Sequence, residues 1–118
     1  MVRILMSVAL LVVISGVALA AEAYMSAADF DSKVVGKTLS SVTKKGRKFT
    51  AQFAAGGGGT FKIKGMDAVD FTWSFSGDTM CWEVYNNKEC NHVVSKGAKL
   101  DFVDAKTGKV NNSYSVAG

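Results

Sequence analysis

From Phe49 onward the chain alternates apolar and polar residues with a period of two, the signature of strands with one buried face. Phe49, Ala51 and Phe53 fall on one face, with Lys48, Thr50 and Gln52 on the other. Phe61 and Ile63 alternate with Thr60, Lys62 and Lys64, and Val69, Phe71, Trp73 and Phe75 alternate with Asp70, Thr72, Ser74 and Ser76. Met80, Trp82 and Val84 continue the pattern, followed by Leu100 and Phe102, then by Val110, Tyr114 and Val116. With the segments 38–43 and 90–95, this predicts about eight short strands at hairpin spacing. Glycine, Asn, Asp and Lys separate them, and no proline occurs. The glycine run 56–59 reads as a flexible hairpin loop.

Ahead of the strands, Ala27, Ala28, Phe30 and Val34 predict one short helix, with Ser26 as N-cap and Gly36 as its stop. Antiparallel strands with one apolar face each must cover that face by closing into a barrel or stacking as two sheets. The expected fold is all-β: a small antiparallel up-and-down barrel of about eight strands, capped by the N-terminal helix, with a β-sandwich as the alternative. Nine aromatic side chains (Phe49, Phe53, Phe61, Phe71, Trp73, Phe75, Trp82, Phe102 and Tyr114) take inward positions. Because a small eight-stranded barrel is just wide enough for side chains to fill, a solid core is expected rather than a ligand cavity.

The first twenty residues follow a different rule. Arg3 precedes an apolar run from Ile4 to Val17, and Ala18-Leu19-Ala20 ends in the small-x-small pattern of a signal-peptidase site. Residues 1–20 therefore read as a cleaved signal peptide and 21–118 as a single domain, periplasmic or secreted, with no stable membrane insertion after cleavage. In that compartment Cys81 and Cys90, the only cysteines of the chain, read as a structural disulfide. By chain entropy a loop of about ten residues contributes about 2.5–3 kcal/mol. Pairing them makes a hairpin turning near 85–87, with Glu83 opposite Lys88 on the outer face. The same register turns Glu89 and Asn91 inward; a β-bulge is expected to turn them out again, the alternative being that they line a polar spot inside the barrel.

Few residues suggest chemistry. Gly36-Lys37-Thr38 lacks the earlier glycine and the strand–loop–helix order of a phosphate loop. His92 is the only histidine and is expected to be an exposed strand residue, with neither a nucleophile nor further metal ligands beside it. Asp67, Asp70 and Asp78 sit at strand ends or on outward faces. No catalytic residue, metal site or cofactor is assigned.

Charge adds one feature. Without Arg3, the 14 Lys and Arg residues fall to 13 against 10 Asp and Glu, a net charge of +3. Lys44, Lys45, Arg47 and Lys48 crowd one hairpin tip, either as a solubilising turn or as a contact for an anionic partner.

The run Trp73-x-Phe75-x-Gly77-Asp78-x-x-Cys81, followed by Cys90, Gly97-x-x-Leu100-x-Phe102 and Gly108, resembles small secreted bacterial proteins with a lipocalin-like barrel and one hairpin disulfide. Most of these are domains of unknown function, and the resemblance covers residues 36–116. It implies a periplasmic barrel and assigns no functional residue. Periplasmic lysozyme inhibitors share the general architecture, but their cysteine placement is not matched, and a basic chain suits a basic enzyme poorly.

The sequence thus leads to a non-catalytic binding barrel whose partner is an anionic envelope component or an apolar small molecule, and not nucleic acid. An interaction or inhibitor protein docking a cell-envelope enzyme through its loops ranks second, and an enzyme third. Intact-mass measurement of the exported protein is expected to give a chain beginning at Ala21. A full-length chain in the membrane fraction would contradict the assigned leader.

Overall fold

A computed structural model describes residues 23–117. The assigned signal peptide and its cleavage site lie outside the described residues. The described residues form one helix, α1 (Ala27–Lys33), then eight strands: β1 (Thr38–Val42), β2 (Lys48–Ala54), β3 (Gly58–Ile63), β4 (Val69–Ser76), β5 (Thr79–Val84), β6 (Asn87–Lys96), β7 (Lys99–Asp104) and β8 (Val110–Ala117). Each strand pairs antiparallel with the next, and β8 returns to β1, so the sheet closes into an up-and-down barrel. Closure excludes the sandwich alternative.

Ser26 caps α1, its hydroxyl accepting from the Asp29 amide. The helix ends where Gly36 takes a φ of +85°, a conformation that costs glycine nothing. Its N–H then donates to the Phe53 carbonyl, which fixes the helix against β2. Phe30 and Val34, both fully buried, close this end of the barrel. The Phe30 ring meets Phe53, Trp73 and Phe75 at centroid distances of 5.2–5.3 Å.

The inward aromatics form one continuous packing. Phe53 reaches Phe71 at 4.8 Å, Trp82 at 5.3 Å and Phe102 at 6.2 Å, and Phe102 reaches Tyr114 at 4.5 Å. Tyr114 in turn meets Phe49, which stacks toward Phe61. Trp73 packs at the helix end, where its indole N–H donates to the carbonyls of Ala54 and Gly58 and ties down the β2–β3 turn. The outer face carries Thr38, Thr50, Gln52, Lys62, Asp70 and Thr72, a polarity opposite to the apolar outer band of a membrane-spanning barrel.

Cys81 and Cys90 are bonded and directly paired, with Cα atoms 4.0 Å apart. Glu83 faces Lys88 and Trp82 faces Glu89 in the same register. The turn is the two-residue pair Tyr85–Asn86. Glu89 and Asn91 nevertheless stay inside without a bulge between them. The register shift of the β6–β8 region lies instead at Phe102/Val103, opposite β8. The glycine run also differs from expectation: Gly56 and Gly57 form the turn, but Gly58 and Gly59 belong to β3. Gly59 is inward, and a Cβ there would run into the Phe71 ring and come within 2.6 Å of the Gln52 carbonyl. Glycine at this position is what lets Phe71 lie across the barrel floor.

Gly59→Ala is expected to destabilise the protein by at least about 2 kcal/mol, because neither the ring nor the backbone carbonyl can retreat. Gly58→Ala, with open space at its Cβ, is expected to stay within about 1 kcal/mol. Urea unfolding of the two variants checks the pair; equal effects would contradict the packing described.

Candidate functional site

Because the strands run up and down, the turns segregate to two ends. The turns 55–57, 77–78 and 97–98 lie at the α1 end, and 43–47, 64–68, 85–86 and 105–109 lie at the other. Just inside this second end, the wall formed by β6, β7 and β8 is polar. Asn91 is fully buried. Its amide donates to Glu89 Oε1 at 2.8 Å, and its Oδ1 accepts from Asn111 Nδ2 at the same distance. Glu89 Oε1 also accepts from the Trp82 indole N–H at 3.2 Å, and Asn111 donates onward to Asp104 Oδ2. Buried polar groups are tolerated when every member is paired, and this row is paired end to end.

Asp104 anchors the far end of the row. Its other carboxylate oxygen accepts from the amides of Lys106 at 2.9 Å and Thr107 at 3.0 Å and so fixes the β7–β8 turn. Its pKa is lowered, first by the Thr107 amide, then by the Asn111 side chain and the Lys106 amide. The neighbouring Tyr114 phenol has its pKa pushed up by burial, opposed in part by a hydrogen bond with Asn112. The row is a structural brace: each of its members is hydrogen-bonded to the next.

The outer wall is different. Among the described residues, the ladder between β8 and β1 runs through Thr38↔Ala117, Leu39↔Val116 and Ser40↔Ser115. Beyond Ser40 the strands are joined by a side-chain bond, Ser41 Oγ donating to the Ser113 carbonyl at 2.7 Å. An open groove of about 830 Å³ follows this seam. Its outward-facing floor is Ser40, Val42, Thr50, Ser113 and Ser115, and its flanks are Lys99 on one side and Lys48, Lys62 and Lys64 on the other. The floor is low because serine, threonine and valine alternate there where long side chains would fill the space.

Lys64 follows directly on the β2–β3 ladder, where its amide donates to the Lys48 carbonyl at 2.9 Å. Two cations therefore stand side by side across adjacent strands, an arrangement that destabilises a sheet in the absence of an anion. Lys62 stands two pairs further along on the same face, opposite Thr50, with its ammonium donating to the Met66 carbonyl at 2.6 Å. No acid lines the groove. Asp101, beyond Ser113, is engaged by the Ser113 hydroxyl at 2.7 Å and by Lys96 at 3.3 Å.

The structure divides the four cations of the hairpin tip. Lys44, Lys45 and Arg47 sit in the 43–47 turn, and Arg47 reaches the Met66 sulfur at 3.6 Å. Lys48 opens β2 and faces the groove with Lys62 and Lys64, which had been read only as outward strand positions. His92 also differs from expectation, its side chain being only 18% exposed. Tyr24 stacks on it at 4.1 Å, and the ring Nδ1 lies 2.9 Å from the Asp78 carbonyl. With Met25 N–H donating to the Val93 carbonyl, this stack clasps the segment before α1 to the barrel wall. Asp67, Asp70 and Asp78 are exposed, as expected of solvated carboxylates. Among the described residues, no group of three or more His, Cys, Asp or Glu side chains is arranged to hold a metal.

Comparison with protein families, with curated proteins and with solved structures returned no match.

The lowered pKa of Asp104 fixes the sign of a pH effect. Its carboxylate stabilises the fold above the unfolded-state pKa, and that contribution is lost as pH falls through the lower folded-state value. Asp104→Asn is therefore expected to be less stable than the parent at neutral pH, with the difference shrinking below about pH 4. Melting temperatures across this range check it; a difference independent of pH would show that the charge is immaterial.

Proposed function

We propose that the protein is a non-catalytic binding barrel of an extracytoplasmic compartment that holds an extended anionic ligand, such as an acidic polysaccharide, in the seam groove. The observation that carries this reading is the placing of Lys48 beside Lys64, with Lys62 close by, over a floor free of acids. From Lys99 on β7 to Lys62 on β3 is four inter-strand steps, roughly 19 Å around the wall at about 4.8 Å each. A single small anion would meet one flank only, whereas a chain with repeated charges meets both. The hydroxyls of Ser40, Thr50, Ser113 and Ser115 between the flanks suit a hydroxyl-bearing backbone. The disulfide is compatible with an oxidising extracellular or periplasmic location.

The filled interior disfavours the apolar small molecule as ligand, since the continuous aromatic packing occupies the space it would need. Binding at the groove is electrostatic and therefore salt-sensitive. At about 1 kcal/mol for each cation near an anionic surface, three lysines amount to roughly 100-fold in affinity.

Dextran sulfate is the probe, with neutral dextran as control, measured calorimetrically at about 20 and 200 mM salt, where the Debye length falls from about 20 to about 7 Å. The parent is expected to bind the sulfated polymer at low salt. The triple variant Lys48→Ser/Lys62→Ser/Lys64→Ser should lose about 100-fold, and the tip variant Lys44→Ser/Lys45→Ser/Arg47→Ser much less. Equal loss in both triple variants would place the contact in net charge and not in the groove.

A further inference from the structure

The end of the barrel opposite α1 has a composition that the core does not explain and that the groove, through Val42 and Lys64, explains only in part. Its four turns, 43–47, 64–68, 85–86 and 105–109, contain Lys44, Lys45, Arg47, Lys64, Lys106 and Lys109, against Asp67 as their one acid. The three turns at the α1 end contain no cation at all. Four of the five exposed large apolar side chains segregate the same way: Val42, Met66, Tyr85 and Val110, each between 42% and 53% exposed, stand at the four-turn end, while Tyr24 lies against His92 on the barrel wall.

Tyr85 is the most telling of them. The Tyr85–Asn86 turn has φ of +54° and +63°, the primed geometry that favours Asn and Gly and disfavours a bulky residue at its first position. The tyrosine is 53% exposed and touches the body of the protein through the edge of Phe61 at 5.9 Å. A large aromatic is held at a turn tip against its own backbone preference, and it fills no core. Such an outlier points toward a contact made outside the molecule.

We propose that this end docks onto an anionic lipid surface, with Tyr85, Met66, Val42 and Val110 entering the interfacial layer and the surrounding cations meeting the headgroups. Charge complementarity selects the surface: six cations and one acid in the turns demand a negative partner. The apolar residues project from separate turns and strand ends around a rim, with cations interleaved. That layout suits a laterally fluid layer better than a shaped protein patch, and an amphipathic tyrosine is at home at the boundary between water and acyl chains. Such docking would set the seam groove beside the membrane, within reach of anionic material anchored there. The binding is reversible, because the outer strand faces are polar and only the rim is apolar.

The test uses the mature chain and vesicles of phosphatidylglycerol and phosphatidylcholine in equal parts, against pure phosphatidylcholine, by cosedimentation at about 20 and 200 mM salt. Parent protein is expected to partition onto the anionic vesicles and at least tenfold less onto the zwitterionic ones. Tyr85→Asn/Met66→Ser should lose at least tenfold in partitioning. Asparagine suits the turn, so the melting temperature of this variant should hold within a few degrees. Its dextran sulfate binding should match the parent's, which separates lipid docking from the groove. Unchanged partitioning of this folded variant would overturn the proposal, as would equal binding to both vesicle types. A concentration-dependent rise in mass without lipid, abolished in the same variant, would identify the rim as a self-association surface and overturn it equally.

Discussion

The packing of aromatic rings around Phe53 is the contact on which the rest of the molecule depends. Phe53 sits fully buried near the helix end of β2 and touches rings from α1, β4, β5 and β7. A sheet of eight strands has no reason to close unless its inner face meets itself, and these rings are long enough to do so across the interior. The carbonyl of the same residue accepts from Gly36 and so sets the helix over the open top. Gly59 belongs to the same device, since it stands opposite Phe53 in the ladder and makes room for Phe71.

A core made this way leaves little of the interior open. The interior of the lower barrel is divided between aromatic rings and the hydrogen-bonded row of Glu89, Asn91, Asn111 and Asp104. What remains is surface. Beside the seam between β8 and β1, small side chains leave a groove bounded by lysines. The groove and the cationic rim share one physical origin: strands whose inner faces are committed to packing are free to arrange charge outside.

Much of the fold was legible in the sequence because period-two alternation assigns each residue to a face without knowledge of its neighbours. Phe49, Phe53, Phe71, Trp82 and Tyr114 all point where the alternation puts them, and the two cysteines gave the β5–β6 register directly. Glu89 and Asn91 were harder. The expectation of a bulge rested on a local preference, whereas their inward placement is supported by Asp104, which β7 pairs with Asn91, and by Asn111, which β8 brings to Asn91 after a register shift. The groove was hidden for a related reason. Lys62 and Lys64 read as ordinary outward strand positions and Lys48 as part of the basic hairpin tip, and only the pairing of β2 with β3 brings the three together. Ser113 and Ser115 lie some fifty residues further along and reach the same floor only through closure.

The central claim is that this barrel is solid and binds on its outer wall. Backbone amide NMR of the isotope-labelled mature protein, titrated with a short sulfated oligosaccharide at low salt, tests it most directly. The account predicts that shift changes gather on Ser40, Val42, Lys48, Thr50, Lys62, Lys64, Ser113 and Ser115, and that the amides of Phe53, Phe71, Trp82 and Phe102 stay in place. Shifts centred on those core aromatics would mean that the interior opens to take the ligand, and would contradict it.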